Sequence, residues 1–309
     1  MKEIESEINK VISDNRVLGS LLILEKQRRG VYEDKLVFIG IADTANYYWC
    51  AMKSFFQNKV MELDFFASYL HDRISYSFDL GLIDEMPRSK EKILDIGSQI
   101  TFRDVEKLLR ERKMRKSKLE VEESYMGIEI FDEEGYTVRI INPYLSSEKR
   151  GYYEEQAKVR GIRVANLDEF PELWGCFFQI TKAEQYPTIR WNFDWENYVV
   201  VGVPDGITDS FVYEFKTTRS RFLSNYVKPV ALTQADLYGY FFRRNKKRIQ
   251  MFIVEEGIIE TSESKVDKDE ARKVLRNFKK VDDGWMPPPP KPWKCKSCGF
   301  QDICKLKAK

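Results

Sequence analysis

Asp205, Glu214 and Lys216 fall within twelve positions of one another in "VPDGITDSFVYEFKTT". Side chains alternate along a strand, so Glu214 and Lys216 share one face and Phe215 takes the other. Gly206 allows a sharp exit after Asp205. A short turn would then bring the two acids and the lysine together. Carboxylate oxygens suit Mg²⁺ or Mn²⁺, hard cations that keep positions open for water and phosphate. A lysine beside them can orient an attacking water and stabilise charge on a pentacovalent phosphorus. Together these are the parts of a metal-assisted phosphodiester hydrolase. The competing reading is an ordinary Glu–Lys pair on an exposed strand.

The surrounding elements must hold that arrangement. "NYVVVGVPDG" (197–206), "SFVYEFKTT" (210–218) and "RIQMFIVEE" (248–256) read as strands, with a helix "VALTQADLYGYFFRRN" (230–245) before the last. Strand–strand–helix–strand predicts a mixed sheet with a covering helix. Gln234 and Tyr238 are four apart and share a helix face that could reach a DNA backbone or base beside the metals. Upstream, 42–56, 60–75 and 98–118 carry helical periodicity, and "YMGIEIFDEEGYTVRIINP" reads as a hairpin turning at 133–135. Residues 268–280 give a further helix. The chain divides into a mainly helical region (1–120), a stretch of unassigned role (121–190), a core (191–282) and a tail (283–309).

That tail carries Cys295, Cys298 and Cys304, three of the five cysteines, behind Pro287–Pro290. The proline run predicts a stiff, extended linker. The start is charged, without a signal-peptide core, and no apolar run approaches the ~20 residues of a membrane span. The expectation is a soluble, cytoplasmic protein with no membrane partner. There, clustered cysteines serve as metal ligands rather than disulfides. A fourth thiol must be Cys50 or Cys176. Four cysteines suit a [4Fe–4S] cluster or structural zinc, although the second C-x2-C of a zinc ribbon is absent. His71, the single histidine, is a candidate metal ligand or a structural residue.

Net charge is +2 with 32% charged residues, so nucleic-acid binding requires local patches. Basic runs occur at 110–118 ("RERKMRKSK") and 243–248 ("RRNKKR"), with Arg219 and Lys228 beside the 210–218 strand and the helix after it; the alternative is solvated surface. Aromatic residues make up 14% and can stack single-stranded bases.

The order of these motifs, Cys50, His71, Asp205, Glu214 and Lys216, Gln234 and Tyr238, then Cys295, Cys298 and Cys304, resembles the iron–sulfur branch of the RecB-like PD-(D/E)xK nucleases. The likeness is to the CRISPR-associated Cas-four exonuclease family, over roughly 40–75 and 195–304. It implies an α/β (α+β) fold with a restriction-endonuclease-like mixed β-sheet flanked by helices, and 191–282 as nuclease core. It implies Asp205, Glu214, Lys216, Gln234 and Tyr238 as catalytic residues, and His71, Asp205, Glu214 and Phe215 at the Mg²⁺ or Mn²⁺. It points to Cys50 as the fourth cluster ligand, leaving Cys176 a buried small hydrophobe. The activity implied is a DNA exonuclease on single strands or overhangs, with CRISPR adaptation proteins as partners in spacer acquisition. The alternatives are a stand-alone repair or mobile-element nuclease, or a non-catalytic DNA-binding subunit.

Overall fold

The computed structural model describes residues 15–72, the segments 75–79, 92–95, 117–118, 127–131 and 137–141, and 145–304 apart from 167–168, 170–174, 176–177, 180–181, 187 and 297. Helix α1 (Asn15–Arg28) precedes strand β1 (Phe38–Gly40), which runs into α2 (Ile41–Ala45), a 3₁₀ turn (Asn46–Tyr48) and the long α3 (Ala51–Asp72). Strands β2 (Ser75–Asp79), β3 (Lys92–Asp95), β4 (Ser117–Lys118), β5 (Gly127–Phe131) and β6 (Thr137–Ile141) lead to α4 (Ser147–Val159) and β7 (Arg163–Ala165). Next come β8 (Glu184–Gln185), β9 (Thr188–Ile189), β10 (Trp191–Trp195), β11 (Tyr198–Gly202), β12 (Gly206–Ile207) and β13 (Phe211–Thr218). The described chain closes with α5 (Arg221–Phe241), β14 (Lys246–Ile253), β15 (Ile258–Lys265), α6 (Lys268–Asp282) and the short α7 (Pro292–Lys296).

Two sheets position the chemistry. In one, β11 lies between β1, parallel to it, and β10, antiparallel. All five residues of β11 are buried, as a strand covered on both faces requires. In the other, the order is β12–β13–β14–β15. There β13 and β14 are parallel and joined through α5, while β12 and β15 pair antiparallel at the edges. A parallel pair needs such a crossover, and a helix is the usual one. Ile39 and Val200 of the first sheet, Val212 and Ile249 of the second, and Ala235 and Leu237 of α5 belong to one core. Helix α6 adds Val274, Leu275 and Phe278. It is capped by Asp267, whose side chain accepts from the amides of Asp269 and Glu270. Acids in its first turn and lysines in its last complement its dipole.

The mixed α+β architecture expected from sequence is present. The segment 197–218 does not stay in one sheet, however: β11 pairs with β1 and β10, and only the two-residue β12 pairs with β13. The helix expected at 230–245 begins at Arg221, where the Ser220 side chain accepts from the Leu223 amide, and Pro229 does not end it. The helix expected over 42–56 is broken into α2, a 3₁₀ turn and the start of α3, with Cys50 in the break. Ser54 Oγ donates to the carbonyls of Asp43 (2.8 Å) and Thr44 (3.2 Å) and braces that corner. The hairpin expected over 125–143 is found as antiparallel β5 and β6; its 133–135 turn lies outside the described residues. So do residues 98–116 of the expected helix 98–118, whose last two residues form β4.

The start of β1 is held by a buried ion pair. Glu62 Oε1 accepts from the amides of Val37 (2.7 Å) and Phe38 (3.4 Å), while Lys26 Nζ donates to Glu62 Oε2 at 2.7 Å. Removing one partner of such a pair strands a buried charge and costs about 3–5 kcal/mol. Glu62→Leu is therefore expected to lower stability by about that much in urea unfolding. A loss under about 1 kcal/mol would show that the pair does not organise β1.

Candidate active site

Asp205 follows β11 across Val203 and Pro204. Its Oδ2 accepts from the Phe215 amide at 2.8 Å and its Oδ1 from Gln179 Nε2 at 2.6 Å. The first bond ties the end of one sheet to the middle of the other. Gly206 serves this approach sterically rather than through an unusual backbone angle: a Cβ there would lie 2.5 Å from Tyr186 Cβ. On β13 the expected alternation holds. Tyr213 and Phe215 pack into a cluster with Tyr186 and Phe252. Val212, two before Glu214, lies in the core that includes α5, so Glu214 and Lys216 face that side.

Glu214 is 0% exposed. Lys216 Nζ stands 2.5 Å from its Oε1 and hydrogen-bonds it, while Oε2 has no hydrogen-bond partner. Burial, then the charge of Asp205, pushes Glu214 up to about 8, against the pull of Lys216. Burial also raises Asp205, opposed by Lys216, the Phe215 amide and Gln179. For Lys216 burial acts downward, but Glu214 and Asp205 outweigh it and hold the ammonium above its ordinary value. The lysine therefore stays protonated beside two acids that burial makes reluctant to ionise.

Gln234 and Tyr238 do share a face of α5, but that face is buried rather than open to a DNA backbone. Tyr238 Oη donates to the Val203 carbonyl at 2.7 Å. Burial, then Glu214 and Asp205, raises its phenol well above the usual value, so it remains protonated. The pair thus backs the acids from the interior and supports the segment that delivers Asp205. Sequence reasoning missed Gln179, which lies in a stretch without periodicity, and Asp43 of α2, a half-buried acid whose charge also reaches Tyr238. His71 lies in the last turn of α3; its side chain is outside the described residues. Phe215 has only its backbone to offer a cation. Among the described residues, no group of three or more His, Cys, Asp or Glu side chains is arranged to hold a metal ion. The described donors at this site are Asp205 and Glu214.

A family model for the PD-(D/E)XK nuclease superfamily matches residues 98–305, more than half of the chain, including Asp205, Glu214 and Lys216. The chain belongs to the PD-(D/E)XK nuclease superfamily. Its α+β architecture is consistent with the restriction-endonuclease-like fold of these nucleases. Among solved structures, SSO0001 is similar at 20% identity, covering 52% of this chain and 81% of that one, with a TM-score of 0.37. An alkaline exonuclease (LHK-Exo) from Laribacter hongkongensis matches at 12% identity over 45% of this chain and 83% of that one, with a TM-score of 0.23. Both likenesses are too slight to argue from. No curated protein matches the chain, and no described helix is long and apolar enough to cross a membrane.

The nuclease also gathers its thiols. Cys50, Cys295, Cys298 and Cys304 line one pocket with Trp49, Phe56, Lys294 and Phe300. Cys50 immediately precedes α3. Burial raises its thiol above the ordinary value, while the amides of Lys53 and Met52 at the helix start pull the other way. Lys294 Nζ donates to the Trp49 carbonyl at 2.8 Å and fastens the tail to this corner. Cys176 lies outside the described residues.

The basic run 243–248 is split: Arg243 and Lys246 are exposed, and the other three cations turn inward. Arg244 Nε donates to the Thr208 carbonyl at 2.6 Å, and Lys247 Nζ pairs with Asp236 at 2.5 Å. Arg248 forks onto both oxygens of Glu184. All three cations work inside the fold. Arg219 pairs with Glu255 at 3.1 Å. Residues 110–116 of the other basic run lie outside the described residues.

Proposed function

We propose that this nuclease is a Mg²⁺- or Mn²⁺-dependent DNA exonuclease acting on single strands or single-stranded overhangs, with a [4Fe–4S] cluster on Cys50, Cys295, Cys298 and Cys304. The observation that carries the reading is Glu214: a fully buried carboxylate beside Asp205, with Lys216 on Oε1 and no hydrogen bond on Oε2. Such a group is costly unless it is neutral or meets a cation. A divalent cation bound there supplies a deprotonated water and positive charge at the scissile phosphate. Asp205 and Glu214 would hold it, with His71 and the Phe215 backbone completing the set. The Phe215 amide and Gln179 orient Asp205. Lys216, held protonated, places a positive charge where the phosphate gains negative charge. Tyr238 keeps its proton on the Val203 carbonyl and fixes the strand behind the acids.

The cluster assignment draws on the four thiols in one pocket. The motif order supports a place among the CRISPR-associated exonucleases, trimming DNA ends for spacer acquisition. End-labelled single strands, blunt duplexes and overhang duplexes test the activity, with Mn²⁺ and with EDTA. Stepwise shortening of single-stranded ends that stops in EDTA is expected. Cleavage in EDTA, or cutting only inside duplexes, would overturn the reading.

A further inference from the structure

We infer that Phe222, Tyr226, Trp293 and Trp49 form a stacking track for a single DNA strand, running from the start of α5 to the cysteine pocket. The rings follow one another at centroid distances of 5.5, 4.9 and 5.4 Å. All three contacts are edge-to-face. Phe222 is 67% exposed and Trp293 38% exposed. Neither belongs to the buried core.

Two lysines give the track its charge. Lys294 Nζ lies 4.9 Å from the Trp49 ring and 5.8 Å from the Trp293 ring, and Lys53 Nζ lies 6.0 Å from Trp49. Aromatic faces interleaved with cations suit a strand that offers bases and phosphates in alternation. A second copy of the chain fits poorly, because a two-fold contact would set these lysines against their own images. Phe222 follows Lys216 by six residues, so the track starts next to the catalytic strand. Trp293 comes from the tail and the other three rings from the body, so the track is complete only when the tail is docked. The inference rests on the single-strand nuclease reading and adds where the strand lies.

Fluorescence anisotropy in EDTA, on the full chain purified anaerobically, tests it without any cleavage. The probes are a labelled oligothymidine and the same oligomer built from abasic sites. One stacked base is worth about 1–3 kcal/mol, or about 5- to 150-fold in affinity. Phe222→Ala should weaken oligothymidine binding about fivefold or more and leave the abasic oligomer unchanged. Phe222→Trp should retain or tighten it, and Lys53→Gln should weaken both oligomers alike. The proposal is overturned if Phe222→Ala binds both as the parent does, loses both equally, or alters only self-association in sedimentation. Because binding is read without metal, loss of the nuclease reading in cleavage assays and loss of the track register separately.

Discussion

Glu214→Gln is expected to abolish cleavage and, in the absence of metal, to make the protein more stable at pH 8. The two effects share one cause. Glu214 is fully buried with only Lys216 on one oxygen and nothing on the other, and burial followed by the Asp205 charge pushes it up to about 8 against the pull of Lys216. In the unfolded chain it titrates near 4.5, the ordinary value for a glutamate. Between those values the folded protein holds a proton that the unfolded chain has released, so stability falls as pH rises through the window. Each pH unit separating the folded from the unfolded value is worth about 1.4 kcal/mol. A neutral amide of the same shape avoids that loss. The expected gain is about 2–4 kcal/mol at pH 8 and little at pH 5. Lys216 loses its partner, but its side chain is 28% exposed and can stay hydrated.

Urea unfolding in EDTA at pH 5 and pH 8 reads the stability side. A Gln variant equally stable or less stable at pH 8 would show that Glu214 is not an uncompensated carboxylate. On the activity side, losing one of the two acids proposed to hold a cation should lower cleavage about a thousandfold or more. Mn²⁺ should stabilise the parent, since it binds only the folded chain, and should stabilise the variant far less.

What was legible in the sequence was local. Strand alternation set Glu214 and Lys216 on one face because a two-residue period needs no distant partner, and the hydrophobic spacing of α6 gave a helix for the same reason. What was not legible depended on residues far away. Strand β11 leaves the β13 sheet because Phe38–Gly40 pairs with Val199–Val201. The helix expected over 230–245 extends back through Pro229 to Arg221, capped at Ser220 and packed on β13 and β14. "RRNKKR" gave no sign that Asp236 and Glu184 neutralise Lys247 and Arg248. Gln234 and Tyr238 were recognisable as a pair, but only the packing of α5 shows that they lie behind the acids. Gln179 carried no signal.

Cys298→Ala is expected to remove the iron and its brown colour and to lower the melting temperature by about 10 °C. A cluster joining Cys50 to Cys295 closes a loop of roughly 245 residues, and the chain-entropy relation for cross-links gives an upper bound of about 5–6 kcal/mol. For a chain above about 150 residues, each kcal/mol moves the midpoint by about 2–4 °C. Without the cross-link, the tail is held by the Lys294 bond to Trp49 and by ring contacts of Trp293 with Trp49 and Tyr226 and of Phe300 with Phe56. These are contacts of a five-residue helix and a turn, too few to offset the entropy of ordering the segment after Pro290. The visible spectrum, metal content and thermal melt of anaerobically purified parent and variant decide it. Unchanged iron with an unchanged melt would remove the clasp altogether. One zinc per chain with the same fall in melting temperature would keep the clasp and replace the cluster. Docking of the tail is also what sets Trp293 between Trp49 and Tyr226. Loss of the cluster should therefore weaken strand binding even below the melting transition, a link that a purely distant stabilising role would not produce.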